Sequence, residues 1–156
     1  MSLEEKIQYL LDIEAVKQHK TRWCDTIDAG LGIEKVVSFF AADGWIEAEG
    51  YGRHQGRPAL THFLSNLPLS FTFHCIIPKV VEIGADGLTA HGEFRLWEPG
   101  TLPGRGAGGP AAVWVGGDYD DDFVKVAGEW KFKAVRLKLT FLTPYDQGWV
   151  KKRFAE

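Results

Sequence analysis

The first quarter of the chain places apolar residues at the spacing of an amphipathic helix. Between residues 4 and 28 these are Ile7, Leu10, Leu11, Val16, Trp23 and Ile27. The spacing predicts one long helix, or two helices joined near Leu11, that ends at the break formed by Gly30. A second, short helix is predicted over residues 33 to 40, and the Ala-Ala-Asp-Gly sequence at 41–44 ends it.

The next stretch predicts a hairpin and a third helix. Residues 45–49 and 51–55 are expected to pair around Gly50. The helix that follows begins with Pro58 early in its first turn, where a missing amide hydrogen is tolerated. Pro68 ends this helix.

The second half of the chain predicts a sheet of long strands. Apolar and aromatic runs predict strands over residues 71–83 (bent at Pro78), 88–98, 111–126 and 129–142. The Gly- and Pro-rich stretch 99–110 predicts a loop, either a mobile mouth or partner contact, or a tolerated surface insertion. Helices, a hairpin and then long antiparallel strands indicate an α+β fold. The 156 residues fit one domain over residues 1–156.

Composition excludes several classes of function. The net charge of −3 and the pI near 6 give no electrostatic basis for binding nucleic acid. No apolar run approaches the ~18 residues of a membrane span, and the acidic start of the chain does not resemble a signal peptide. Cys24 and Cys75 are too few for a disulfide framework and are expected to be reduced core residues. We therefore expect a cytoplasmic protein with no membrane partner.

Two residues could form a proton-transfer pair. Asp28 ends the first predicted helix, and His74 lies in the aromatic-rich run Phe-Thr-Phe-His-Cys-Ile at 71–76. A carboxylate that accepts a hydrogen bond from one imidazole nitrogen fixes the tautomer, so the other nitrogen can remove a proton from a substrate. The alternatives are an interior histidine without a chemical role and an aspartate that only ends the helix.

Short motifs in a fixed order give the chain a family resemblance. They are Ile-Glu-Ala-Val-Lys at 13–17, Trp-Cys-Asp-Thr-Ile-Asp at 23–28, Phe-Ala-Ala-Asp at 40–43, Ala-His-Gly at 90–92, Gly-Asp-Tyr at 117–119 and Gly-Glu-Trp-Lys-Phe at 128–132. Over roughly residues 10–145 the chain resembles the SnoaL-like branch of the nuclear-transport-factor-2-like superfamily. That branch includes bile acid dehydratase, hexachlorocyclohexane dehydrochlorinase and scytalone dehydratase.

The resemblance implies both a fold and a site. The expected fold is a cone in which a curved antiparallel sheet wraps around the N-terminal helices and encloses a pocket. Asp28 and His74 match the catalytic Asp-His dyad of those lyases position for position. Trp23 occupies the position of a leaving-group acid in these relatives, but indole cannot donate a proton at neutral pH. Glu98 matches an acidic pocket residue of bile acid dehydratase.

Other residues are candidates for the pocket wall. Tyr51, Tyr119 and Trp97 are pocket candidates or plain core residues. In the last strand, alternation places Val135, Leu137, Leu139 and Phe141 on one apolar face. An apolar face that includes Leu139 favours a hydrophobic or aromatic substrate.

The sequence offers no cofactor or metal site. Asp118, Asp120, Asp121 and Asp122 resemble a metal cluster, but strand alternation splits them between two faces and favours a solvated surface. The other four histidines, His19, His54, His62 and His91, are not spaced as a ligand set. There is no nucleotide-binding glycine motif and no serine nucleophile motif, so the reaction is expected to need no cofactor.

The leading hypothesis is a cofactor-independent lyase with His74 as general base and Asp28 as its orienting carboxylate. The reaction could be dehydration, dehydrohalogenation or retro-aldol cleavage of a hydrophobic, aromatic or steroid-like molecule. One alternative is an isomerase or cyclase with the same dyad, and another is a non-catalytic module for binding or dimerisation. We also expect a homodimer or a dimer-based assembly, because burying one sheet face would leave Trp97 exposed on the other.

Overall fold

The chain begins with one continuous helix, α1, over Leu3–Asp28. This is seen in a computed structural model that describes residues 1–104 and 108–155. Ser2 and Glu5 cap its start reciprocally, each side chain bonding the backbone N–H of the other. Its end is set by Gly30, which adopts φ +61°. The helix is therefore undivided near Leu11.

The second helix is shorter than predicted. α2 spans Ile33–Val37, and the chain then enters strand β1 at Phe40–Ala48. The predicted helix end at 41–44 is thus strand. The pairing of Phe40 with Phe132 of a distant strand outweighs the local signal.

The predicted strand 71–83 is two strands. After β2 (Gly52–Gln55) and α3 (Gly56–Ser65) come β3 at Phe71–Thr72 and β4 at Cys75–Ile83. Phe73 and His74 separate the two strands. The Phe73 N–H still donates to the carbonyl of Pro99 on β5, 3.0 Å away, but Pro99 has no N–H to donate in return.

Three long strands and a short helix complete the chain. They are β5 (Thr89–Leu102), β6 (Ala111–Val126), β7 (Glu129–Pro144) and α4 (Gly148–Lys151), of which α4 was not predicted. β5 continues into the predicted loop 99–110 because it pairs with both β3 and β6 there. Residues 105–107 of that loop lie outside the described residues.

The strands form one curled sheet in the order β2-β1-β7-β6-β5-β3, with β4 also paired to β5. The predicted α+β fold, a curved sheet around helices, is confirmed. The sheet is mixed, however, because β1 and β7 pair in parallel while the other strand pairs of the sheet are antiparallel. Within the described ranges, no helix combines the length and the apolar character needed to cross a membrane.

A bulge in β7 changes which residues face the helices. Gly117 pairs with Leu139 but Gly116 pairs with Phe141, so Thr140 is an extra residue on β7. One extra residue reverses the alternation of side chains. Phe141 therefore packs on the outer face against Trp97, not on the pocket face predicted for it, and Leu142 lines the pocket instead.

Candidate active site

A cavity of about 400 Å³ lies between α1, α3 and the inner face of the sheet. Its wall contains these residues predicted from the sequence: Trp23, Asp28, Tyr51, His74, Glu98, Tyr119 and Leu139. The candidate Trp97 does not line it, because it lies on the outer face against Phe141. Apolar side chains supply most of the remaining wall, among them Ile46, Phe63, Val115, Leu137 and Leu142. The cavity is thus an apolar chamber with a small number of polar groups, the usual form of a small-molecule site.

Asp28 and His74 are joined by two hydrogen bonds in this cavity. The His74 ring nitrogen Nδ1 lies 2.6 Å from Asp28 Oδ1, and the His74 backbone N–H donates to Oδ2 over 2.7 Å. The Thr72 hydroxyl also donates to Oδ1, over 2.7 Å. The side chains are 7% and 18% exposed, so the pair is largely shielded from water. The imidazole is held at one nitrogen, and its Nε2 is left for other contacts.

His74 lies between β3 and β4 at the edge of the sheet. Because His74 is outside both strands, its backbone N–H is available to Asp28. The carboxylate lies in the last position of α1 and reaches across to this gap.

The pKa values of the two carboxyl groups near His74 are shifted in opposite directions. Burial favours the neutral form of Asp28, but hydrogen bonds from His74 and Thr72 prevail and lower its pKa below the usual value. Glu98 Oε2 lies 3.8 Å from His74 Nε2, and its side chain is only 5% exposed. Burial raises the pKa of Glu98, the nearby Asp28 charge adds to the rise, and His74 opposes it. The two carboxyl groups therefore differ, because Asp28 is held ionised whereas burial makes the ionised form of Glu98 less favourable than in water.

The other predicted residues occupy different depths of the cavity. Tyr51 is 56% exposed at the mouth and packs edge-on against Phe63. Trp23 is 2% exposed and packs edge-on against Tyr119 and Phe132, so it is mainly a core residue that also lines the cavity. Burial raises the pKa of Tyr119 well above 10, so its phenol is protonated.

The acidic stretch of β6 is split between the two faces of the sheet, as predicted. Asp118, Asp120 and Asp122 lie on the outer face and pair with basic side chains there, Arg95 with Asp118 and Arg136 with the other two. Asp121, however, is fully buried, so the predicted solvated surface is wrong for this residue.

The partner of Asp121 is Lys20, which the sequence analysis missed. Lys20 Nζ lies 2.7 Å from Asp121 Oδ2, and both side chains are fully enclosed. The signal was present in the sequence, because Val16, Lys20, Trp23 and Ile27 follow the i, i+4, i+7, i+11 spacing of one helix face. A lysine in the buried stripe of a helix requires a buried partner.

The fold and this cavity define the class of protein. A curled mixed sheet that encloses a pocket against a long N-terminal helix is the nuclear-transport-factor-2-like architecture, which the resemblance predicted. The family model for a SnoaL-like domain matches residues 8–136. The chain belongs to the SnoaL-like family.

Solved structures of several relatives share this fold. A type 2 hexachlorocyclohexane dehydrochlorinase superposes with a TM-score of 0.76 at 18% identity, covering 89% of this chain and 92% of that one. A scytalone dehydratase-like protein from Novosphingobium aromaticivorans gives 0.75 at 20% identity, covering 90% and 91%. A nuclear-transport-factor-2-like protein with a cystatin-like fold, also from a Novosphingobium aromaticivorans strain, gives 0.68 at 17% identity, covering 88% and 87%. No protein of curated function matches the sequence.

Proposed function

We propose that this protein is a cofactor-independent lyase that acts on a hydrophobic, aromatic or steroid-like small molecule. The observation that carries the proposal is the hydrogen-bonded Asp28–His74 pair in an apolar cavity. The family supports a lyase, since its structural neighbours include a dehydrochlorinase and a scytalone dehydratase-like protein.

His74 is the general base in this proposal. Ionised Asp28 can only accept hydrogen bonds, so His74 Nδ1 carries the hydrogen between them and Nε2 holds the lone pair. Nε2 takes a proton from a carbon or hydroxyl group of the substrate. Asp28 then stabilises the imidazolium cation. A positioned base of this kind contributes a factor of about 10² to 10⁴ in rate.

Glu98 is the general acid. Burial raises the pKa of Glu98, which favours the neutral form that can donate a proton. In a β-elimination the C–H bond breaks and its proton passes to His74 Nε2. The electron pair forms a carbon–carbon double bond, and the leaving group departs with the proton of Glu98. Glu98 thereby supplies the acid that Trp23 cannot.

The experiment is a substrate screen read by mass spectrometry. The panel contains aromatic and steroid-like alcohols, halides and β-hydroxy ketones, each incubated with the wild type, His74→Ala and Asp28→Asn. We expect one group of compounds to lose water or hydrogen halide, or to be cleaved, in the wild type. His74→Ala should lower the rate about 10² to 10⁴-fold, and Asp28→Asn should bind substrate but turn it over slowly.

The outer face of the sheet provides a matched control. His91 Nδ1 lies 3.1 Å from Asp122, so His91→Ala and Asp122→Asn remove a similar pair outside the cavity. These variants should keep the wild-type rate. Products of unchanged mass would favour an isomerase or cyclase, and binding without turnover would favour a binding module. Full activity in His74→Ala would refute the lyase mechanism.

A further inference from the structure

Lys20 and Asp121 bring a buried ion pair to the back of the cavity wall. Removing two charges from water costs several kcal/mol per ion, so such a pair is weak evidence for stability. Here the two groups are 2.7 Å apart, and neither is exposed. Lys20 Nζ has no hydrogen-bond partner besides this carboxylate among the described residues. The ammonium must therefore be stabilised by something besides Asp121.

The principal second partner of the ammonium is the Tyr119 ring. Lys20 Nζ lies 3.2 Å from the centroid of that ring. The next nearest rings, those of Trp23, Phe132 and Phe94, have centroids 4.8 to 5.7 Å away. A cation on the face of an aromatic ring is attracted by the ring quadrupole, and more strongly when water is excluded. The cation is thus held against one residue of the cavity wall.

Strand geometry explains how the three groups meet. Tyr119 and Asp121 are alternate residues of β6, so both side chains point to the inner face. Lys20 reaches them from α1, one turn before Trp23. The ion pair with Asp121 therefore holds the Lys20 ammonium over the face of the Tyr119 ring.

The Tyr119 hydroxyl is available to a bound molecule. Tyr119 lines the cavity together with His74 and Glu98. Among the described residues the Tyr119 hydroxyl forms no hydrogen bond, although the residue as a whole is only 4% exposed. A cation on the ring face draws electron density from the phenol and makes its O–H a stronger donor.

We propose that Lys20, held by Asp121, is a positioning residue that orients and polarises Tyr119 as a hydrogen-bond donor to a neutral oxygen atom of the ligand. The inference rests on the proposed function, since it names a feature of the ligand in the same cavity. The preferred ligand is an apolar ring system with one carbonyl oxygen. Proton removal by His74 from a carbon next to that carbonyl would leave negative charge on the oxygen, where Tyr119 donates.

The test compares two probes that differ in one oxygen. α-Tetralone is an aromatic ketone, and tetralin is the same ring system without the carbonyl. Their dissociation constants are measured by calorimetry for the wild type, Tyr119→Phe and the double variant Lys20→Met/Asp121→Leu. The ketone preference of each protein is the dissociation constant of tetralin divided by that of α-tetralone. This ratio is compared with the ratio for Tyr119→Phe.

We expect the wild type to prefer the ketone about tenfold more than Tyr119→Phe does, the worth of one hydrogen bond. The double variant should fall to within about twofold of Tyr119→Phe, and the carbonyl infrared band of bound α-tetralone should return toward its position in Tyr119→Phe. A double variant that keeps the wild-type preference would overturn the proposal, as would a wild type no more selective than Tyr119→Phe. Lys20→Met/Asp121→Asn, which removes both charges and preserves the shape of the Asp121 side chain, gives the same comparison if the double variant does not fold.

A second Lys–Asp pair serves as the control. Lys125 Nζ lies 2.6 Å from Asp12 Oδ1, and neither residue lines the cavity. Lys125→Met/Asp12→Leu should leave the ketone preference at the wild-type value even if it lowers the melting temperature. The measurement needs no turnover, so a failed substrate screen and a failed donor assignment give separate results.

Discussion

Two carboxyl groups on either side of one imidazole have different chemical environments. Asp28 accepts three hydrogen bonds, which keep it ionised. Glu98 is buried, and burial raises its pKa by disfavouring the ionised form. When the pKa values of two carboxyl groups are shifted in opposite directions, one can support the general base while the other acts as the general acid at the same pH.

The first prediction concerns the acid. Glu98 donates a proton only while it is neutral, and it loses its proton as the pH rises through its raised pKa. We expect the rate of elimination in the wild type to fall as the pH rises through this pKa. Glu98→Gln should lower the rate about 10² to 10⁴-fold and lose this decline, measured as kcat/KM against pH. An unchanged decline in Glu98→Gln would assign it to another group.

The second prediction concerns Trp23→Tyr, which restores the acid position of the dehydratase relatives. Trp23 is enclosed by Phe40, Tyr119 and Phe132, so a smaller phenol would lose packing at this position. Because Glu98 already supplies a proton, we expect no gain in elimination of water and a loss of stability of about 1–3 kcal/mol. Product formation and denaturant unfolding measure the two effects. A large gain in dehydration would mean that Glu98 is not the acid and that the chain is a weakened dehydratase.

At the scale of elements, the Lys20–Asp121 pair joins α1 to β6. Burial raises the pKa of Asp121 to about 6, although Lys20 opposes the rise. A carboxyl whose folded pKa exceeds its unfolded value of 3.8 adds stability below pH 3.8, and this is lost as the pH rises through 6. The stability that this contact between α1 and β6 contributes therefore depends on pH.

The third prediction follows from this loss of stability with rising pH. Lys20→Met removes the cation that opposes the rise, so the pKa of Asp121 should increase further and the loss of stability should extend to higher pH. We expect Lys20→Met to approach wild-type stability at pH 4 and to be about 3 kcal/mol less stable at pH 8. Lys20→Met/Asp121→Leu should be at least as stable as the wild type at pH 8. Denaturant unfolding at both pH values measures this, and a pH-independent loss in Lys20→Met would contradict it.

At the scale of the whole molecule, aromatic side chains cover part of the outer sheet face. Trp97 stacks on Trp114 at 5.1 Å, and Trp149 of α4 packs on Phe141 at 5.4 Å. Trp149 nevertheless remains 52% exposed. An apolar cluster at the surface is typical of an interaction site, and we propose that it joins two copies of the chain.

The fourth prediction is a homodimer at micromolar concentration, measured by light scattering. Trp149→Glu should weaken it by at least about tenfold in dissociation constant, since a buried unpaired charge is costly. Leu31→Glu places the same charge at an exposed apolar residue between α1 and α2 and should leave the dimer intact. A wild-type monomer would contradict the prediction.

The sequence by itself determined the family and most of the element types. The helical spacing of α1 and the apolar runs of β6 and β7 are local patterns that a single strand or helix carries in its own residues. The motif order placed Asp28 and His74 in corresponding positions, although their catalytic role stays a prediction.

Only the tertiary structure decided the features that depend on residues far apart in the chain. The parallel pairing of Phe40 with Phe132 turned a predicted helix end into strand, and the bulge at Thr140 moved Phe141 to the outer face. The partner of Lys20 lies on β6, a hundred residues away, so helical spacing alone could show that Lys20 is buried but not what it binds. Such pairings follow from the free energy of the assembled sheet, which no local pattern contains.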